Sequence, residues 1–256
     1  MNLLLLDPAE IGADGVVALS DARARHLIAV LGVAPGRRVR AGRLDGPLGE
    51  AEVLDAAADA GRVRLRVRFA GEPPPRPAVD LILALPRPKV LKRLWAPLAA
   101  AGVARVFIVN AAKVERMYFD SDALDPALVR VRLIEGLAQA GDTRVPEVAV
   151  RRRLKPFVED ELGPAPADGE RRIAAHPRAG SRVADRVRAG ERVVLAVGPE
   201  GGWTDYELDL LARHGFAPVS MGARVLRSDH AALALLALVR DAQGFAMDSG
   251  RRGGPE

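Results

Sequence analysis

Val197-Gly198-Pro199-Glu200-Gly201-Gly202-Trp203-Thr204-Asp205-Tyr206-Glu207 sets a glycine-rich loop directly after an apolar run. The run Val193–Val197 predicts a strand. Thr204, with Glu207 three residues on, predicts a capping box that opens a helix. That helix carries Leu208, Leu210 and Leu211 and stops at Gly215, a C-terminal glycine. Strand, glycine loop and helix N-terminus form the arrangement in which backbone N–H groups face a bound ligand. The loop lacks the Lys-Ser/Thr of a phosphate-binding P-loop and the Gly-x-Gly-x-x-Gly spacing of a dinucleotide site. The residues alone therefore describe either a ligand loop or a tight strand-to-helix turn.

The same rhythm extends upstream. Val79–Leu85 reads as a strand, Lys89 to Ala101 as a helix, and Val106–Val109 as the next strand. Asp125-Pro126 supplies an N-cap and a proline at the first helical position, opening a helix to Ala140. Val148–Val150, a short helix near Phe157 to Leu162, and Ile173–Ala175 follow, with Pro218–Met221 as the last strand. Strands this apolar suit the middle of a parallel sheet, which makes the fold class α/β. The final helix, from Asp229 to Gly244, is apolar nearly all round and calls for burial on several sides, in the core or in a subunit interface. Residues 247–256 read as a disordered tail.

Gly71-Glu72-Pro73-Pro74-Pro75-Arg76-Pro77 breaks the composition and reads as a semi-rigid linker over residues 71–78. Before it, Val63, Leu65, Val67 and Phe69 alternate with Arg62, Arg64, Arg66 and Arg68, and Arg38-Val39-Arg40 repeats the pattern. Period two puts the arginines on one strand face. Residues 1–70 therefore predict a small β-barrel or sandwich with one basic face, either solvated or in contact with RNA.

Of the 256 residues, 38 are Lys or Arg against 33 Asp or Glu, a net charge of +5. Only four of the 38 are lysines (Lys89, Lys92, Lys113, Lys155), which leaves 34 arginines. Arginine grips phosphate bidentately and stacks on bases, so the bias leans toward a polyanion; the plainer alternative is arginine filling solvated positions. With no cysteine there is no disulfide, thiolate metal site or thiol nucleophile. The four histidines (His26, His176, His214, His230) lack metal-ligand spacing, so no metal is expected. The start, Met1 to Pro8, has no basic n-region, and no stretch approaches the length of a membrane span. The expectation is a cytoplasmic protein.

A second segment, Met221-Gly222-Ala223-Arg224-Val225-Leu226-Arg227-Ser228-Asp229-His230-Ala231, joins the last strand to the apolar helix, with Ser228 or Asp229 as its natural N-cap. Together, Gly198–Trp203 and Gly215–Arg227 resemble the signature of the ribosomal RNA small subunit methyltransferase E family, the 16S rRNA uridine-1498 N3-methyltransferases of the SPOUT class. The resemblance covers most of residues 1–245. His26–Leu31 with Pro35–Val39 is similar to the family's N-terminal PUA-like barrel. Leu83–Lys89 resembles the opening of its methyltransferase domain, and Gln139 to Val148 its middle motif.

The resemblance implies a PUA-like β-barrel over residues 1–70 and a SPOUT α/β domain over 79–246 with a C-terminal trefoil knot. It implies an obligate homodimer that binds S-adenosylmethionine through backbone groups of three loops and acts on 16S rRNA in the small ribosomal subunit. The cofactor residues it implies are Gly198, Pro199, Glu200, Gly201, Gly202, Met221, Gly222, Val225, Leu226 and Arg227. The third loop would be Val109-Asn110 or the one carrying His176. Arg227 is the candidate to stabilise charge on the uracil oxygens, and Asp229 the candidate base or orienter. Arg38, Arg40, Arg64, Arg66, Arg68, Arg87, Lys89, Gln139 and Arg144 are the candidate RNA contacts. The chain departs from the family pattern at Ala138, Asp142 and Asp229. Those departures leave two other readings open: a SPOUT methyltransferase with a different rRNA or tRNA target, and a non-catalytic RNA-binding paralogue.

Overall fold

The computed structural model describes residues 2–244. The predicted tail, 247–256, and the last two residues of the 79–246 segment lie outside the described residues. Strands β1 (Leu4–Leu6), β2 (Val16–Leu19), β3 (Arg38–Arg43), β4 (Leu48–Ala57) and β5 (Arg62–Phe69) form one mixed sheet in the order β1-β3-β4-β5-β2. β1 runs parallel to β3, and the other pairings are antiparallel. Helix α1 (Ala22–Ala29) contributes Ala24 and Leu27 to the core on one face, with Leu4, Leu6, Val53, Val63 and Leu65.

The second sheet has six strands in the order β11-β9-β10-β6-β7-β8. They are β6 (Val79–Ala84), β7 (Arg105–Val109), β8 (Glu147–Arg151), β9 (Glu170–Ala175), β10 (Arg192–Val197) and β11 (Ala217–Val219). The pairings β11–β9, β9–β10, β10–β6 and β6–β7 are all parallel. β6 is buried at every position, as expected of a central strand covered on both faces. Its one charge, Asp80, is fully buried and receives 2.6 Å bonds from Arg105 on β7 and Arg192 on β10. The helices are α2 (Pro88–Ala101), α3 (Pro126–Ala140), α4 (Leu154–Pro156, continued by a π-turn over Phe157–Glu161), α5 (Asp205–Arg213) and α6 (Ser228–Gln243). As expected, Asp125 caps α3, accepting from Ala127 N and Leu128 N.

The chain forms two compact units. Among the described residues, one comprises 2–77 with Leu91–Ala104 and Ser121–Glu147; the other comprises Ala78–Val90, Arg105–Asp120 and 148–244. In the first unit the Thr143-Arg144-Val145 segment latches onto the β3–β4 turn. Thr143 Oγ1 donates to Gly46 O at 2.6 Å, Asp45 N donates to Thr143 O, and Val145 N donates to Asp45 Oδ1. Asp142 accepts from the backbone of Thr143 and Arg144, an Asx-type turn that sets up the latch.

Three sequence expectations change. The arginine alternation on β5 holds, with Arg62, Arg64, Arg66 and Arg68 exposed and Val63, Leu65 and Val67 buried. The face is not uniformly basic, however. β4 runs between β3 and β5 and aligns Glu52 with Arg38 and Arg66, Glu50 with Arg40 and Arg68, and Asp55 with Arg64. Like charges along a strand repel and opposite charges across it attract, so the acidic column stabilises the sheet and offsets part of its positive charge. Helix α6 begins one residue earlier than expected, with Arg227 at the N-cap position and no side-chain cap. Its buried residues are Ser228 at the start and the Ala232, Leu235, Leu236 and Val239 stripe, while Leu238 is 42% exposed.

Gly136 in α3 lies so close to Ala96 of α2 that a Cβ would sit 2.0 Å from the Ala96 carbonyl oxygen. Alanine would gain about 1 kcal/mol of helix propensity, but overpacking against backbone costs about 1–3 kcal/mol. Gly136→Ala is therefore expected to lower the denaturant midpoint of unfolding. A raised midpoint would contradict the contact.

Candidate functional site

Three loops leave the C-terminal ends of neighbouring parallel strands and converge on a cavity of about 290 Å³. Ala175-His176-Pro177 follow β9, Val197–Trp203 follow β10, and Val219–Gly222 with Arg224–Leu226 follow β11. Ser228, Ala231 and Leu235 of α6 complete the wall. Open parallel sheets bind ligands here because strand ends release their backbone groups at one edge. The loops are tied together: His176 N donates to Val219 O, and Ser220 donates through N to Ser181 O and through Oγ to Ala179 O.

The glycine loop turns by a bond from Gly202 N to Pro199 O at 2.8 Å, with Gly202 at φ 69°, a conformation that favours glycine. A Cβ on Gly198 would meet the Trp203 ring at 3.2 Å, so the indole packs flat over the loop. The predicted capping box is present, and its carboxylate reaches further than expected. Glu207, 5% exposed, accepts from Thr204 N and Thr204 Oγ1 on one oxygen and from Ala112 N on the other. Lys113 Nζ adds a 2.7 Å bond to Gly201 O. The segment after β7 thus braces the glycine loop from behind.

Among the sequence candidates, the cavity brings together His176, Gly198, Pro199, Glu200, Gly201, Gly202, Met221, Gly222, Val225 and Leu226. Val109 is fully buried at the end of β7, and Asn110 lines a different cavity. Arg227 and Asp229 flank the lining residues Leu226 and Ser228 without lining the cavity themselves. Arg227 Nε lies 3.5 Å from Asp229 Oδ1, with side-chain exposures of 60% and 16%. That geometry misses a hydrogen bond and leaves Asp229 Oδ1 buried without one.

Arg87 and Lys89 are exposed just beyond β6. Arg38, Arg40, Arg64, Arg66 and Arg68 stand on the charged face of the first sheet. Gln139 is exposed, and its carbonyl accepts from Asn2 Nδ2. Arg144 is half-buried, and its guanidinium donates to Pro74 O at 2.6 Å and Asp45 O at 3.2 Å.

Sequence reasoning missed Trp203 and Ser228 as cavity residues, although both stand inside the quoted motifs. Trp203 Nε1 and Ser228 Oγ are buried without a hydrogen-bond partner. Buried polar atoms in this state are uncommon, and both belong to residues of the cavity wall, where a bound group could satisfy them. Among the described residues no group of three or more His, Asp or Glu could hold a metal ion, and no helix is long and apolar enough to cross a membrane.

Residues 72–240 match the family model for an RNA methyltransferase domain. The chain is 28% identical over 243 residues to the ribosomal RNA small subunit methyltransferase E of Treponema pallidum, covering 93% of this chain and 90% of the relative. It is 30% identical over 230 residues to that of Mycobacterium tuberculosis, covering 88% and 86%. Its fold matches the ribosomal RNA small subunit methyltransferase E of Neisseria gonorrhoeae bound to S-adenosyl methionine, with TM-score 0.73, 22% identity and coverage of 93% and 96%. A methyltransferase of Legionella pneumophila with the cofactor bound matches at TM-score 0.74, 23% identity and coverage of 94% and 97%. Matched over 88–93% of its length by these relatives, the chain belongs to the ribosomal RNA small subunit methyltransferase E family.

Proposed function

We propose that the chain is an S-adenosylmethionine-dependent methyltransferase that modifies N3 of uridine 1498 in 16S rRNA, acting in the cytoplasm on the small ribosomal subunit as a homodimer. The observation that carries this reading is the convergence of the His176, Gly198–Gly202 and Met221–Leu226 loops on one cavity at the edge of a parallel sheet. The residues present suit the cofactor. Val197, Val219, Leu226 and Leu235 give apolar walls for an adenine ring, loop backbone lies open to its polar groups, and Trp203 Nε1 and Ser228 Oγ stand unpaired. Bound S-adenosylmethionine supplies an electrophilic methyl group on a sulfonium, chemistry that needs no metal.

The chain's own residues align the acceptor and handle its proton. Uracil N3 gives up a proton as the methyl group arrives. We assign Asp229 as acceptor or orienter of that proton and Arg227 as the cation that stabilises charge on the uracil oxygens. Residues 1–70 then serve as a PUA-like RNA-positioning domain, 71–78 as its linker, and 79–246 as a SPOUT domain whose C-terminal segment threads a trefoil knot. The open Leu238 side of α6 is the surface a second subunit would cover. Two of the departures have local structural roles. Ala138 is buried, with its carbonyl accepting from Asn2 N and Leu3 N. Asp142 makes the Asx turn, and Asp229 retains a carboxylate.

Small subunits from a strain lacking its own enzyme should take up tritiated methyl from S-adenosylmethionine at uridine 1498. Label mapped only elsewhere would sink the assignment. Arg227→Ala is expected to lower turnover about 10²-fold or more, the loss typical of removing a transition-state charge stabiliser, with calorimetric cofactor affinity unchanged. Replacing Arg64, Arg66 and Arg68 together by Gln should weaken RNA binding and reduce the log–log salt slope by roughly 2–3. An unchanged slope would assign those arginines to the sheet's charge ladder alone.

A further inference from the structure

A second cavity, of about 540 Å³, lies beside α4 and the start of α5, and no step of the proposed reaction uses it. Its walls carry four cations, Arg116, Arg152, Arg153 and Lys155, together with the ring of Tyr206 and the side chain of Asn110. One carboxylate, Glu207, also lines it, but both its oxygens are engaged by Ala112 and Thr204. Two cations have acidic neighbours that are themselves solvent-facing: Arg152 lies 3.5 Å from Asp120, and Lys155 lies 3.9 Å from Glu159. Pairs this exposed contribute little, so the cations remain available to another anion. Tyr206 is 55% exposed, so its ring is open to a stacking partner. Asn110 Oδ1 is buried with no hydrogen-bond partner.

Cations around a concavity, an open aromatic face and an unpaired acceptor are the components of single-stranded nucleic acid recognition. Phosphates are gripped electrostatically, a base stacks on the ring, and a buried amide oxygen reads an N–H edge. A purely apolar or acidic ligand would leave the cations unused. We propose that this cavity is a nucleotide subsite for the RNA substrate, in which the four cations hold backbone phosphate, Tyr206 stacks one base and Asn110 Oδ1 accepts from it. The inference rests on the RNA methyltransferase reading above and adds a second contact point to it. The site is contiguous with the cofactor loop. Trp203 lines the first cavity and Thr204 the second, while Lys113 Nζ and Glu207 bind the intervening segments together. A nucleotide seated here would therefore press on the brace behind Gly201.

The test uses the full chain and a fluorescent single-stranded fragment of 16S rRNA spanning the target uridine. The combined variant Arg116→Gln, Arg153→Gln, Lys155→Gln is expected to bind the fragment at least tenfold more weakly at physiological salt. Its log–log salt slope should fall by about 2, as for two to three lost phosphate contacts. Tyr206→Leu should weaken binding about fivefold or more, and Tyr206→Phe should restore it, since either ring offers a π-face. Calorimetric affinity for S-adenosylmethionine and the thermal midpoint, unchanged in all three variants, would show that the loss is not one of folding. Wild-type RNA affinity and slope in the combined variant would overturn this subsite while leaving the methyltransferase reading intact. Failure of the wild-type protein to bind the fragment would overturn the subsite, and failure to bind small subunits as well would overturn both.

Discussion

The carboxylate of Glu207 is the constraint on which the functional region depends. It is buried, and it accepts three hydrogen bonds from two separate stretches of chain, Thr204 at the start of α5 and Ala112 after β7. Hydrogen bonds to a charged group contribute about 1.5–3 kcal/mol each, and leaving such a group unpaired when buried costs more. The helix can start only at Thr204, and the segment after β7 can lie only against that start. The glycine loop between Val197 and Thr204 then has fixed ends. Lys113 supplies the last restraint by donating to Gly201 O.

The parallel sheet divides its charge and its freedom between two ends. Asp80, the second residue of β6, is fully buried and held by Arg105 and Arg192, which pins β7, β6 and β10 near their N-terminal ends. The C-terminal ends carry no such pin. They release glycine-containing loops whose backbone groups are not all spent on the sheet, and the cavity forms there. Rigidity at one edge allows the other to be shaped for a ligand.

In the other compact unit, charge and latch interactions replace the single basic surface that the arginine alternation suggested. Arg38 and Arg66 flank Glu52, and Arg40 and Arg68 flank Glu50. Thr143 and Arg144, in a segment that resembles a family motif, close the unit upon the β3–β4 turn and the Pro74 carbonyl. The large arginine pool thus sorts into a sheet ladder, carbonyl clamps such as Arg144, ion-pair pins such as Arg105 and Arg192, and the cluster around the second cavity.

The sequence by itself determined the α/β class, the element order after residue 78, the capped starts of α3 and α5, and two of the three loops that build the cavity. These are local matters: apolar runs, period-two alternation, Asp125-Pro126 and Thr204–Glu207 act within a few residues. Only the tertiary structure decided which strands are neighbours and which third loop joins the cavity. It chose His176 over Asn110 because β9, and not β7, lies between β10 and β11. It also decided that Glu50 and Glu52 interrupt the arginines, that Arg144 clamps backbone, and that Arg116, Arg152, Arg153 and Tyr206 share one concavity. Those facts depend on pairing between residues far apart in the chain. No short pattern encodes that pairing, because strand order is set by the packing of the whole sheet.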